Sequence, residues 1–335
     1  MDKKNNDLSR KDFFNWLGAM IGGGMIIAGG KLAVEYGNNP YSMAARISDK
    51  LFYADLNKER DPEGYNKAQK LAFVWMFAET ARQYGKKVGF EKSGEAIGHY
   101  LYGEGRTLDI SNWLEDEAKN NDGFWPSLFS DARYGIKKEE GIENDAVAAR
   151  MLKNRLKEGH TFILAADSHD LFNAIGISTC KLQANLEFAI NEDEGFAVDK
   201  KLSDIRLELT DKYDWDGKGN PAELGEKGRD FLSGYFGAIR TFMLNNGELV
   251  AETLKNLSLP SFYVDQFMSV YSSGMFKFFG TLSEKAGGKV LDIENELTGG
   301  LGVDESSLAL LEEVGARQYY INGSLRQINP VSVDE

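Results

Sequence analysis

Lys181 to Ile190 reads KLQANLEFAI, and Asp204 to Tyr213 reads DIRLELTDKY. In the first run Leu182, Leu186, Phe188 and Ile190 alternate with Lys181, Gln183 and Glu187. In the second, Ile205, Leu207 and Leu209 alternate with Asp204, Arg206 and Glu208. Successive side chains of a strand point to opposite faces, so each run predicts a strand with one apolar and one wet face. Asn191-Glu192-Asp193-Glu194-Gly195 supplies a polar loop between them. The pair predicts an antiparallel hairpin.

Outward from the hairpin the period changes. Thr161 to Ala166 (TFILAA) is strand-like, and Asp167-Ser168-His169-Asp170 reads as a turn or helix cap. Between residues 38 and 160 the pattern is mainly helical. Tyr65 to Tyr84 carries Leu71, Val74, Phe77 and Ala78 on one face. Phe90 to Tyr102 ends before Gly103-Glu104-Gly105, and Ile142 to Lys157 has Val147, Met151 and Leu152 as its stripe, with Gly159 as a stop. Helical patterning returns from Pro221 to Gly300, where aromatic residues from Phe231 to Phe242 and from Phe262 to Phe279 crowd together. Core is the default use of such stripes, with a partner groove or a lipid-facing surface as alternatives. Tyr319-Tyr320-Ile321-Asn322-Gly323 predicts a last strand. The expected fold is α+β: a helical N-terminal half, then a small antiparallel sheet carrying a helical insertion. The organisation expected is a segment 1–37, a helical region 38–160, and an α+β region 161–335 interrupted at 221–300.

Composition narrows the function. A formal net charge of −13 over 335 residues argues against nucleic acid, whose binding needs a basic face, and against charge-driven adhesion to anionic lipid. An anionic substrate then calls for a metal ion or a few well-placed cations. The lone Cys180 excludes an intrachain disulfide and a cysteine zinc cluster, and it reads as a buried structural thiol.

The chain starts with Ser9-Arg10-Lys11-Asp12-Phe13-Phe14, followed by an uncharged run from Phe13 to Gly30 that contains six glycines among 18 residues. A cationic patch before a weakly apolar run reads as an export signal. It resembles a twin-arginine translocation signal in which Lys11 replaces the second arginine and Phe14 the leucine. The alternative is a buried glycine-rich pair of helices, with Gly18 and Gly22 at the contact.

Chemistry concentrates where the second strand ends, in Asp211-Lys212-Tyr213-Asp214-Trp215-Asp216. Alternation sets Asp211 and Tyr213 on the face of Leu209, the apolar one. A carboxylate continuing an inward row is costly unless it is paired, metal-bound or in a cleft. Carboxylates this close, with a tyrosine hydroxyl between, suit a divalent ion or an activated water, or else simply form an acidic turn. Asp211-x-Tyr213-Asp214 resembles the Asp-x-Tyr-Asp signature of the colicin M family of bacterial toxins. Asn173-Ala174-Ile175-Gly176, Gly98 to Gly105 and Gly315 to Gly323 resemble further strings of such domains. The resemblance implies an α+β catalytic domain with a half-open, curved sheet. It also implies Mg2+-dependent cleavage of lipid II between undecaprenol and pyrophosphate, on the periplasmic side of a target bacterium. Asp211, Tyr213 and Asp214 would be catalytic, Asp211 and Asp214 the metal ligands, and an immunity protein the producer's safeguard.

The chain departs from that family in one respect. The family follows its signature with a histidine and an arginine, whereas this chain has Trp215-Asp216-Gly217-Lys218-Gly219-Asn220 and no histidine after His169. His169 is left to replace the first; Lys218, Arg229 or Arg317 to neutralise pyrophosphate; and Asp216 to stand at the mouth. His99 and His160 lack the spacing of a metal site and read as structural. Two rival functions remain open. One is a membrane-active toxin inserting its glycine-rich start and aromatic helices. The other is a non-enzymatic periplasmic binding protein.

Overall fold

The computed structural model describes residues 39–165, 168–191, 196–213, 237–272 and 306–334. The segment 1–37, the tip of the hairpin and much of the stretch 221–300 lie outside the described residues.

Capping side chains set the helix starts in the N-terminal half. Helix α1 (Pro40–Asn57) begins with a capping box: Asn39 Oδ1 accepts from the Ser42 N–H at 2.9 Å, and Ser42 Oγ accepts from the Asn39 N–H at 3.0 Å. Asp61 caps α2 (Pro62–Tyr84) by accepting from the Gly64 N–H at 2.9 Å. Then follow α3 (Glu91–Tyr102), the short strand β1 (Leu108–Asp109), α4 (Ser111–Asn120), α5 (Phe124–Glu140) and α6 (Asp145–Glu158), the last capped by Asn144.

Two expected helix faces need correction. Helix α2 buries every residue from Leu71 to Ala81, including Glu79 and Thr80, so it runs through the core instead of lying on it with a single face. Its neighbours close in because glycines allow it: a Cβ at Gly94 of α3 would meet the Ala81 carbonyl oxygen of α2 at 3.1 Å. In α6 the buried stripe is Ala148, Ala149, Leu152 and Leu156, while Val147 is 40% exposed. Small alanines let α6 lie close to the strand it covers, and Val147 points away from it.

Strands β2 (His160–Ala165), β3 (Ile177–Asn191) and β4 (Phe196–Tyr213) follow, with helix α7 (His169–Ile175) between β2 and β3. Helical residues 237–245 (α8), α9 (Gly247–Asn256) and α10 (Ser261–Ser272) come next. A 3₁₀ segment (Ser306–Val314), β5 (Tyr319–Gln327) and β6 (Val331–Ser332) complete the order. The sheet runs β1-β5-β4-β3-β2, with β6 also paired to β4. The β3–β4 hairpin is antiparallel as the alternation requires, and β5 pairs with the outer half of β4. The sheet is mixed, because β1 pairs parallel to β5 through Leu108↔Ile321 and Asp109↔Asn322. Two residues are too few to leave an alternating pattern in the sequence.

The alternation sorts the faces. Leu182, Ala184 and Leu186 on β3, Leu207 and Leu209 on β4, and Ile321 and Leu325 on β5 are buried. Lys181, Gln183, Arg206, Glu208, Asn322 and Arg326 face outward and are exposed. One contiguous hydrophobic core runs from Met43 in α1 to Val333 beside β6, so the helical half and the sheet bury a common interior. The fold is α+β with a helical N-terminal half.

Candidate functional site

The inward row of β4 is Ile205, Leu207, Leu209, Asp211 and Tyr213. Leu209 is fully buried, Asp211 is half-buried and Tyr213 is buried again, at 8% exposure. A carboxylate therefore interrupts an apolar row near the end of the longest strand described. It is engaged by Ser178 at the start of β3, a side chain that is itself fully buried. Ser178 Oγ lies 3.1 Å from Asp211 Oδ2 and 3.0 Å from the Ile175 carbonyl oxygen, so its single proton is shared between two acceptors. Nothing in the pattern of either strand marks Ser178. Only the register, with Thr179 opposite Thr210, brings it to Asp211.

Cys180 lies in the same neighbourhood, buried on β3 opposite Leu209. Burial pushes its thiol well above the usual cysteine range, and the Asp131 and Asp211 carboxylates push it the same way. Such a thiol stays protonated and is no nucleophile.

Aromatic rings wall the site. Tyr213 stacks on Tyr319 of β5 with centroids 4.7 Å apart, and Tyr100 of α3 is tilted against it at 6.2 Å. The Tyr319 hydroxyl donates to the Ala96 carbonyl at 2.9 Å, and Tyr100 donates to the Leu308 carbonyl at 3.2 Å. Burial raises the Tyr319 phenol well above its ordinary value, so its hydroxyl acts as a neutral donor. The His99 ring packs edge-on to Tyr319 at 4.5 Å, and its Nε2 lies 2.6 Å from the Arg106 carbonyl oxygen. A carbonyl only accepts, so Nε2 carries the proton. His99 is structural in this arrangement. His160, buried with Nε2 3.1 Å from the Ala132 carbonyl oxygen, is structural too.

Segments far apart in sequence meet at this end of the sheet. Residues 98–105 arrive through α3, and the Tyr100 carbonyl accepts from the Arg317 N–H at 3.0 Å. Residues 315–323 arrive as the entry to β5, with Tyr319 opposite Tyr213 and Ile321 opposite Asp211. Residues 173–176 close α7 and lead directly into Ser178. Arg317 is exposed, two residues before Tyr319, and stands at the Tyr213 end of the sheet. His169 opens α7, whereas Asp211 neighbours the residues that follow the last turn of that helix.

The residues flanking His169 have structural work. Ser168 Oγ accepts from the Leu171 N–H at 3.2 Å and donates to Glu117 at 2.9 Å. The Asp170 carboxylate accepts from the Lys92 and Ser93 N–H groups, both at 2.9 Å, and from Ser93 Oγ at 2.8 Å. Asp170 thus caps α3, whose own Phe90 offers no side chain for the purpose. Separations of 77 and 78 residues leave no trace of this cap in the sequence.

Asp214, Asp216, Lys218 and Arg229 lie outside the described residues. Among the described residues no group of three or more His, Cys, Asp or Glu side chains is placed to hold a metal ion. Mg2+ is commonly held by one or two carboxylates together with phosphate oxygens. Asp211, with one oxygen already oriented by Ser178, fits the part of one such ligand. No helix among the described residues is long and apolar enough to cross a membrane. No protein-family model matches the chain, and no curated protein or solved structure matches it either.

Proposed function

We propose that this chain is an exported antibacterial hydrolase of the colicin M kind, cutting lipid II between undecaprenol and pyrophosphate in the periplasm of a target cell. The observation that carries the reading is the position of Asp211. It is a half-buried carboxylate in an apolar row, oriented by a buried serine, at the strand end that leads into Tyr213 and Asp214. Support also comes from the meeting of residues 98–105, 173–176 and 315–323 around that strand end, since these are the strings on which the family resemblance rests.

Cleavage at a phosphate ester needs charge neutralised on the oxygens and a positioned nucleophile. A bound magnesium ion would supply the neutralisation, with Asp211 and Asp214 as its carboxylate ligands. Tyr213 would orient a substrate oxygen, and exposed Arg317 would offer a guanidinium to the pyrophosphate at the same end of the sheet.

The test is incubation of purified protein with labelled lipid II and Mg2+. Release of undecaprenol, abolished by chelator and by Asp211→Asn or Asp214→Asn while thermal stability stays near the parent's, is the expected result. Full activity in both variants would remove the site. Dye release from vesicles lacking lipid II, with no hydrolysis, would instead favour the membrane-active alternative.

A further inference from the structure

On the outward face of the sheet, remote from the buried Asp211 row, three residues lie side by side across three strands. Gln183 of β3 is opposite Arg206 of β4, and Arg206 is opposite Arg326 of β5. Like charges directly opposite in adjacent strands repel. Lys157, at the end of α6, adds a third cation to the same pocket of about 270 Å³. Among the described residues none of these three cations is ion-paired, although the chain as a whole carries a net charge of −13. The backbone beneath is irregular: the β3–β4 register shifts between Gln183 and Asn185, and Asp204 takes a left-handed φ of 49°. Bulges and strained residues of this sort re-aim side chains and gather at ligand sites.

We infer that this pocket binds a phosphorylated polyol of about sugar size. Cations from three separate elements suit the three oxygens of a phosphoryl group better than the two of a carboxylate, which one arginine fork satisfies. Of the remaining lining, Ala184 and Ile328 are apolar, and Gln183, Asn185 and Asp204 offer partners to hydroxyls. Gln183 is anchored to the Lys157 carbonyl through Nε2 at 3.1 Å, and its amide oxygen is an acceptor that this bond does not use. Asn185 donates to Asp204 at 2.9 Å, and that carboxylate is the pocket's one strong acceptor. The cavity exceeds the volume of a bare phosphate ion, so room is left for the carbon skeleton.

Calorimetric titration of the full chain with glucose 6-phosphate, and separately with glucose, at low ionic strength tests the assignment. Saturable binding of glucose 6-phosphate but not glucose is expected, weakened at least about tenfold by Arg206→Gln or Arg326→Gln. Either variant should melt at or above the parent's temperature without ligand, because a repulsive pair has been removed. Should either fail to fold, Lys157→Gln on the exposed helix end serves instead, with the same loss of binding expected. Equal affinity for glucose and glucose 6-phosphate, no binding of either, or undiminished binding by the variants would overturn the inference. Hydrolysis of lipid II is read separately, so failure here leaves the Asp211 site untouched.

Discussion

Tyr213 and Tyr319 sit opposite each other in the β4–β5 ladder and stack, with ring centroids 4.7 Å apart and planes 22° from parallel. The two phenols are expected to divide the labour. Tyr319 is held by its bond to the Ala96 carbonyl, whereas the part proposed for Tyr213 is to orient a substrate oxygen.

Tyr319→Phe keeps the stack and loses one buried hydrogen bond, so it should cost about 1 kcal/mol in chemical denaturation and leave most of the hydrolysis intact. Tyr213→Phe should show the reverse, with near-parental stability and a large loss of turnover. Equal activity in the two variants would remove Tyr213 from the chemistry and leave both rings as packing.

A second prediction concerns Gly323. It belongs to a string that resembles a toxin-domain element, yet its local reason is steric: a Cβ there would meet Ile110 Cγ1 at 2.8 Å and Leu114 Cδ1 at 2.9 Å. Both neighbours are fully buried, so they have little space into which to retreat. Gly323→Ala is expected to destabilise by about 1–3 kcal/mol through overpacking between α4 and β5. A urea midpoint unchanged from the parent's would show that the two elements can separate without cost.

What was legible in the sequence follows from how local each cause is. The hairpin and the inward setting of Asp211 and Tyr213 come from a period of two, Cys180 as a buried thiol comes from the usual burial of a lone cysteine, and the structure has all of them. The strand Tyr319–Gln327 extends four residues past the expected Gly323, because Ser324 and Arg326 still alternate with Leu325. Helix α2 was legible as a helix but not as a central one, since Glu79 and Gln69 look like a solvent face. Glu79 tolerates burial because Arg82 grips both its oxygens, at 2.6 and 3.0 Å, and Tyr102 donates at 2.7 Å. Of the candidate site, Asp211 and Tyr213 were legible; Ser178 and the Asp170 cap were not, because register and packing over long separations create them.

A third prediction is a pH dependence. Burial pulls the His160 imidazole below its ordinary value of 6.5, partly offset by the Ala132 carbonyl and by Glu139, while Arg155 pulls it the same way as burial. Between the folded value and 6.5 the unfolded chain holds more protons, so unfolding free energy rises with pH through that window and falls on acidification. His160→Gln removes the titration. Measured by urea midpoints at pH 8 and pH 5, the variant should close part of its gap to the parent at the lower pH. A gap independent of pH would mean that His160 takes up its proton equally in both states.

The last prediction separates two phenylalanines of α10 that the sequence groups together as lipid-facing candidates with Phe276 and Phe279, which lie outside the described residues. Phe267 is fully buried and packs edge-on against Phe73 of the central helix, with centroids 5.3 Å apart. It joins α10 to the core, the default expected of these rings, and Phe267→Ala should cost about 3–5 kcal/mol of stability. Phe262 is 64% exposed at the start of the same helix. A lipid-anchored substrate is met at the bilayer surface, and a chain of net charge −13 has little electrostatic attraction to anionic headgroups. An exposed ring can supply the missing contact, because burying apolar area at the headgroup boundary is favourable whatever the charge. Phe262→Ser should therefore leave the urea midpoint unchanged and slow hydrolysis of lipid II in vesicles several-fold, while a water-soluble short-chain analogue is cleaved at the parental rate. Equal rates on vesicles for parent and variant would take Phe262 out of membrane contact, and an equal loss on both substrates would place its effect in the enzyme rather than at the bilayer.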